Sequence, residues 1–187
     1  MGASARRGGN GLRAIAISAA LMLVGAAPGS AAVSPQAHAP QVLPAAAGPV
    51  LTAIAAGSGH TCAVVAGGSV ACWGSNEFGQ LGDNTTAESL MPVAVNGIST
   101  ATAVAAGFSH TCAVVAGGSV ACWGSNEFGQ LGDTTTTSSP VPVAVQGITT
   151  ATAITAGYYH SCALLAGGSV KCWGQNSGGQ LGDTTWV

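Results

Sequence analysis

The chain has 187 residues, enough for one domain, and is 48% hydrophobic but only 5% charged, far below the usual ~25%. Beyond residue 32 it keeps one basic residue, Lys171, against Glu77, Asp83, Glu88, Glu127, Asp133 and Asp183. That balance leaves no footprint for a phosphate backbone and argues against a nucleic-acid binder.

Residues 1–32 carry the pattern of a secretory signal. Arg6, Arg7 and Arg13 give a positive start, Ala14 to Ala27 an apolar core, and Ser30-Ala31-Ala32 a small-x-small cleavage site. The apolar run is shorter than the ~18–20 residues of a spanning helix. No membrane association is therefore expected after removal of the signal. Arg6-Arg7 raises twin-arginine export, but Gly8-Gly9-Asn10 lacks the apolar residues expected next, so the export route stays open. Residues 33–50 are rich in Pro and Ala and read as a linker.

From residue 51 a repeat begins. Residues 60–83, HTCAVVAGGSVACWGSNEFGQLGD, return unchanged at 110–133 and with seven differences at 160–183, each step being 50 residues. A fixed period of this size marks stacked supersecondary units. The repeats span 51–100, 101–150 and, truncated, 151–187. Each holds short strand candidates bounded by Gly, Pro, Asn and Ser. In the first copy these are 51–57, 60–66, 69–74 and 92–98, and the fourth returns at 142–148. Gly67-Gly68 joins the second and third strands as a hairpin. The Thr/Ser stretches 84–90 and 134–139 read as loops. Four short strands per copy predict an all-β fold of antiparallel β-propeller blades, about 2.5–3 of them, in an incomplete, open propeller.

The cysteines flank the hairpins as Cys62/Cys72, Cys112/Cys122 and Cys162/Cys172. A three-residue loop, Ala66-Gly67-Gly68, sets Cys62 opposite Cys72. A two-residue turn instead sets Cys62 opposite Trp73. An even count together with export favours one disulfide per blade. His60, Cys62 and Cys72 share a face, but their spacing lacks the close pairs of structural zinc sites, so no metal is expected.

Residues present in every copy read as structural, because catalysis needs its constellation only once. They are His60, Trp73 and Asp83, His110, Trp123 and Asp133, and His160, Trp173 and Asp183. The His is expected to be a hydrogen-bonded blade residue and the Trp to pack between blades. Gln80 and Asp83 are expected to hold their loop. No G-x-S-x-G elbow accompanies Ser, His and Asp, so no catalytic residues and no cofactor are expected. Specificity should lie where the copies differ. Position 58 is Ser, but 108 is Phe and 158 is Tyr, with Tyr159 beside it. Glu77-Phe78 persists as Glu127-Phe128 and is lost in the third copy. These residues, Phe108, Tyr158, Tyr159, Glu77, Phe78, Glu127 and Phe128, are the candidates for binding a protein partner.

The run G-x-x-H-[TS]-C-A…G-G-S-V…C-W-G-x-N-x-x-G-Q-L-G-D, over residues 51–187, resembles the repeat of the regulator of chromosome condensation family. The resemblance implies a β-propeller, generally of seven blades, whose loops bind protein partners. Family members include a guanine-nucleotide exchange factor for a small nuclear GTPase, which also binds chromatin, and a secreted bacterial inhibitor of β-lactamases. The paired cysteines resemble those of exported bacterial members. With under three copies, one chain does not close such a ring. It is expected to be a fragment, an open arc whose exposed edges invite self-association, or part of an assembly. The leading expectation is a secreted, extracellular, non-enzymatic protein-interaction module. The alternatives are an inhibitor of an exported enzyme and a guanine-nucleotide exchange factor-like regulator, against which export and the acidic balance weigh.

Overall fold

The structure, a computed structural model, describes residues 50–186. The signal segment and all of the linker except Val50 lie outside the described residues. Among the described residues eleven strands form three antiparallel sheets. Blade 1 is β1 (Leu51–Ala56), β2 (His60–Val65), β3 (Val70–Gly74) and β4 (Ser89–Ala94), in that order across the sheet. Blade 2 repeats it with β5 (Ala101–Ala106), β6 (His110–Val115), β7 (Val120–Gly124) and β8 (Ser139–Ala144). Blade 3 has β9 (Ala151–Ala156), β10 (His160–Leu165) and β11 (Val170–Gly174). The result is an open, incomplete propeller of about three blades. Among the described residues no helix is long and apolar enough to cross a membrane.

The inner strands β1, β5 and β9 lie against one another at the hub, and β2 and β6 pack on the inner strand of the next blade. Blade 2 is therefore covered on both faces, by blades 1 and 3, which is why β6 is buried along almost its whole length rather than on alternate residues. The core lies between blades. Cys62, Val64, Val70, Cys72 and Leu81 of the first repeat meet Ala101, Ala113 and Trp123 of the second. Their counterparts Cys112, Val114, Val120, Cys122 and Leu131 meet Ala151 and Ala163, with Trp173 packed alongside.

The hairpin takes the three-residue form. Val65 N–H donates to the Ser69 carbonyl at 2.8 Å, and Gly68 N–H to the Val65 carbonyl at 2.8 Å. Gly67 and Gly68 hold φ of 99° and 91°, the left-handed region that glycine enters freely. This register puts Cys62 opposite Cys72, Cys112 opposite Cys122 and Cys162 opposite Cys172. All three pairs are disulfides, with Cα atoms 4.1, 4.0 and 4.0 Å apart.

The fourth strand differs from the expected 92–98. It begins at Ser89 and ends at Ala94, and its copy runs Ser139–Ala144. The last residues of the supposed loops 84–90 and 134–139 are thus strand. The cause is an irregular step in register. Cys72 pairs with Val93, but Gly74 already pairs with Ser89. Gly74 bends there with φ 107°. A Cβ at Gly74 would lie 2.4 Å from the Gly59 carbonyl, so no other residue fits. Beyond Ala94, Val95 N–H makes one last bond to Val70, and Asn96 N–H turns to the Gly82 carbonyl. Being an edge strand, β4 tolerates Pro92 without losing a ladder bond.

Candidate functional site

Antiparallel order sends the β1–β2 and β3–β4 connections of each blade to one end and the hairpins to the other. The long loops at the first end are built on a buried asparagine. Asn76 Nδ2 donates to the Thr85 and Ala87 carbonyls at 3.1 and 2.9 Å, and Asn76 Oδ1 accepts from Leu81 N–H at 2.9 Å. Asn126 repeats all three contacts; Asn176 repeats those to the threonine carbonyl and the leucine N–H. Gln80 Oε1 accepts from Phe78 N–H at 2.9 Å, and Asp83 Oδ1 from Thr85 N–H at 3.0 Å. In the copies, Asp133 and Asp183 sit below the usual carboxylate range. For Asp133, partial burial acts upward but is outweighed by hydrogen bonds from Thr135 and Asn126. For Asp183, the Thr185 hydroxyl and N–H lead.

A second set of contacts joins the blades. His60 Nε2 bonds Thr111 Oγ1 of blade 2 at 2.8 Å, and Thr111 Oγ1 donates to the Gln80 carbonyl at 2.9 Å. Trp123 Nε1–H donates to that same carbonyl at 2.9 Å. The next joint is a copy: His110 Nε2 to Ser161 Oγ at 2.9 Å, and Ser161 Oγ and Trp173 Nε1 to the Gln130 carbonyl at 3.1 and 2.8 Å. Because the hydroxyl proton goes to the carbonyl, Nε2 must carry the imidazole hydrogen. Nδ1 of His60 and of His110 then faces a buried site without a partner. Burial pushes both rings down to about 4, with His60 and His160 adding to the effect at His110. His60, His110, Trp123 and Trp173 therefore fasten one blade to the next.

The aromatic residues that differ between copies collect at the loop end. Phe108 stacks on Tyr158 with centroids 4.1 Å apart, and Tyr159 stands edge-on to Tyr158 at 4.5 Å. Phe128 joins through Tyr159 at 4.8 Å. Tyr158 remains 56% exposed and Phe128 38%, so the cluster is a surface feature and not a core filler. The Tyr159 phenol is pushed up, first by desolvation, then by Tyr158 and the Glu127 carboxylate. The structure thus groups Phe108, Tyr158, Tyr159, Phe128 and Glu127. It leaves Glu77 and Phe78 outside the ring cluster, on blade 1, where position 58 is Ser and offers no ring. The six acidic residues all fall in the β3–β4 type loops of this end, while Lys171 Nζ bonds the Gly147 carbonyl near the hairpin end. Among the described residues no group of three or more His, Cys, Asp or Glu is placed to hold a metal ion.

Residues passed over in the sequence complete the picture. Asn76 and its copies are kept in all three repeats while positions 75 and 77 change, and Thr111 and Ser161 keep a hydroxyl. Both were signals available in the sequence.

Fold and surface together define a propeller-repeat module whose aromatic cluster lies at the loop end. The family profile described as regulator of chromosome condensation (RCC1) repeat matches residues 67–114 and 117–164, and a second of the same description matches 51–80, 101–130 and 151–180. The chain belongs to this repeat family, and the expectation that it is not an enzyme accords with that membership. Among solved structures it is similar to human WBSCR16, with 25% identity and TM-score 0.62 over 67% of this chain and 33% of that one. It is also similar to Prp20p from Saccharomyces cerevisiae, whose structure is described with its binding to Gsp1p and histones, at 21% identity and TM-score 0.63 over 71% and 35%. The yeast RCC1 (Prp20) bound to Kap60 matches at 20% identity and TM-score 0.58 over 66% and 32%. The chain spans about a third of the length of each.

These matches correct the expected location. The secreted, extracellular assignment is not carried by them: the similar yeast structures are described with Kap60, Gsp1p and histones, and those descriptions are of those proteins. The exported bacterial type likewise finds no support among them.

Proposed function

We propose that the chain is a protein-interaction regulator of the guanine-nucleotide exchange factor kind. It docks a small GTPase on the loop end of its blades. The observation that carries this is the exposed ring cluster of Phe108, Tyr158, Tyr159 and Phe128, which stands where the copies diverge. Tyr and Phe in a half-exposed cluster give large contact area at low entropic cost and anchor protein partners. The surrounding carboxylates require a partner that presents basic side chains. Support for the GTPase comes from the family and from the described binding of Prp20p to Gsp1p. With export set aside, half of the case against that reading goes.

The test is release of a fluorescent GDP analogue from a purified small GTPase. The chain should accelerate release, Tyr158→Ala should remove most of the effect, and rising salt should weaken it. Equal release with and without the chain refutes the exchange reading.

A further inference from the structure

We infer that the chain assembles head to tail, with blade 1 of one copy seated on blade 3 of another. The contact uses blade faces rather than strand edges, and its pattern is already written twice inside the molecule.

Each joint has two halves. The trailing half is a His, a Gln carbonyl, a disulfide and two aliphatic side chains on β2 and β3 or their copies. The leading half is a hydroxyl residue and a Trp on the next blade, with a small residue at the start of its inner strand. His60, the Gln80 carbonyl, Val64 and Val70 receive Thr111, Trp123 and Ala101. His110, the Gln130 carbonyl, Val114 and Val120 receive Ser161, Trp173 and Ala151.

Blade 3 carries a third trailing half: His160, Gln180, Cys162–Cys172, Leu164 and Val170. Val170 is 60% exposed where Val70 and Val120 are 1% and 2%. Leu164 is 41% exposed where Val64 and Val114 are 1% and 2%. Blade 1 carries a third leading half, with Thr61 and Trp73. Leu51 is 47% exposed where its copies Ala101 and Ala151 are 5% and 6%, and Ile54 is 65% exposed. Among the described residues, Thr61, Trp73 and His160 make none of the side-chain bonds that their copies make across a joint.

The two open faces are thus each other's complement in both hydrogen-bonding sense and apolar content. The occupant follows from this: the His, Gln and aliphatic pair that receive blades 2 and 3 recur on blade 3, and the hydroxyl and Trp that they receive recur on blade 1, where Leu51 stands in place of the small Ala and faces Leu164 and Val170 in place of two valines. Such a contact is heterologous, so further copies add in the same sense until the ring closes or a filament forms.

The test is the mass of the full chain in solution by sedimentation, at concentrations from 1 to roughly 100 µM, a range that brackets the Kd of a modest interface. Wild type should exceed the monomer mass of 17.9 kDa at least twofold. Val170→Glu spoils only the trailing face and Ile54→Glu only the leading face, and each alone should fall to monomer. Mixed together, the two variants each retain one sound face and should form a dimer and nothing larger. Circular dichroism of each variant establishes that it is folded, and a variant that is not is replaced by Val170→Lys or Ile54→Lys. A monomeric wild type, or two folded variants that keep their assembly, or a mixture that stays monomeric, overturns the inference.

Discussion

Mild acid should weaken the joints between blades before it reaches the loops. His60 and His110 are held neutral, with pKa values pushed down to about 4 from an ordinary 6.5. Protonation would place a hydrogen on Nδ1, which has no acceptor in either ring. The unfolded chain takes up these protons first. The stability they contribute is therefore complete above the ordinary value of 6.5, falls as pH drops below it, and is gone below about 4. Between pH 7 and pH 5 the linkage amounts to about 2 kcal/mol for each ring and roughly 4 kcal/mol for the pair. Asp133 and Asp183, held below the usual carboxylate range, are not protonated in that window. The assay is urea unfolding followed by tryptophan fluorescence at pH 7, 6 and 5. The wild-type midpoint should fall steeply, and His110→Gln should show about half that dependence, since one of two equal contributions is removed. A midpoint unchanged from pH 7 to pH 5, or a full slope in the variant, refutes the buried, singly bonded histidine.

Trp123→Phe removes the indole bond to the Gln80 carbonyl and should lower stability by about 1–3 kcal/mol in denaturant titration. Trp73→Phe, on the open face of blade 1, should have a smaller effect at concentrations where the chain is monomeric. Asn126→Ala should remove about 2–4 kcal/mol, because one buried side chain closes a whole loop, and amide exchange should quicken across residues 127–137. Reduction of a single bridge by replacing Cys112 and Cys122 with Ala should lower stability by about 3 kcal/mol, as the entropy of so short a loop implies. Thr134→Asn should raise the midpoint, by about 0.5–1 kcal/mol. A β-branched residue is disfavoured at φ 72°, and blade 1 already places Asn84 there.

The blade pattern was legible because the copies align without gaps and because Gly-Gly, Cys and Trp recur at fixed steps. The cysteine partnership was legible as one bridge across each hairpin, but the hairpin register only as two alternatives. Which one holds depends on whether Ala66 belongs to the turn, and the Val65–Ser69 bond decides that. The fourth strand was misplaced because pairing there is set by a bend at Gly74, two strand positions away on the neighbouring strand, and not by its own alternation. The role of His60 was hidden by distance. Its partner lies 51 residues on, one position out of phase with the repeat. The asparagines escaped notice because a lone polar residue in a Gly-rich run looks like solvent-facing loop, although it is the nail through the loop's centre. The expected location rested on segment 1–32 alone, and the descriptions of the similar yeast structures run against it.

The placement of the apolar core between sheets rather than within them has a consequence for how such a chain grows. A duplicated 50-residue unit arrives with its own plug and its own socket, so it can be inserted without redesigning the units beside it. The identity of residues 60–83 and 110–133 is what a recent event of that sort leaves behind. Divergence is then free to act on the tips, where Ser58, Phe108 and Tyr158 already differ.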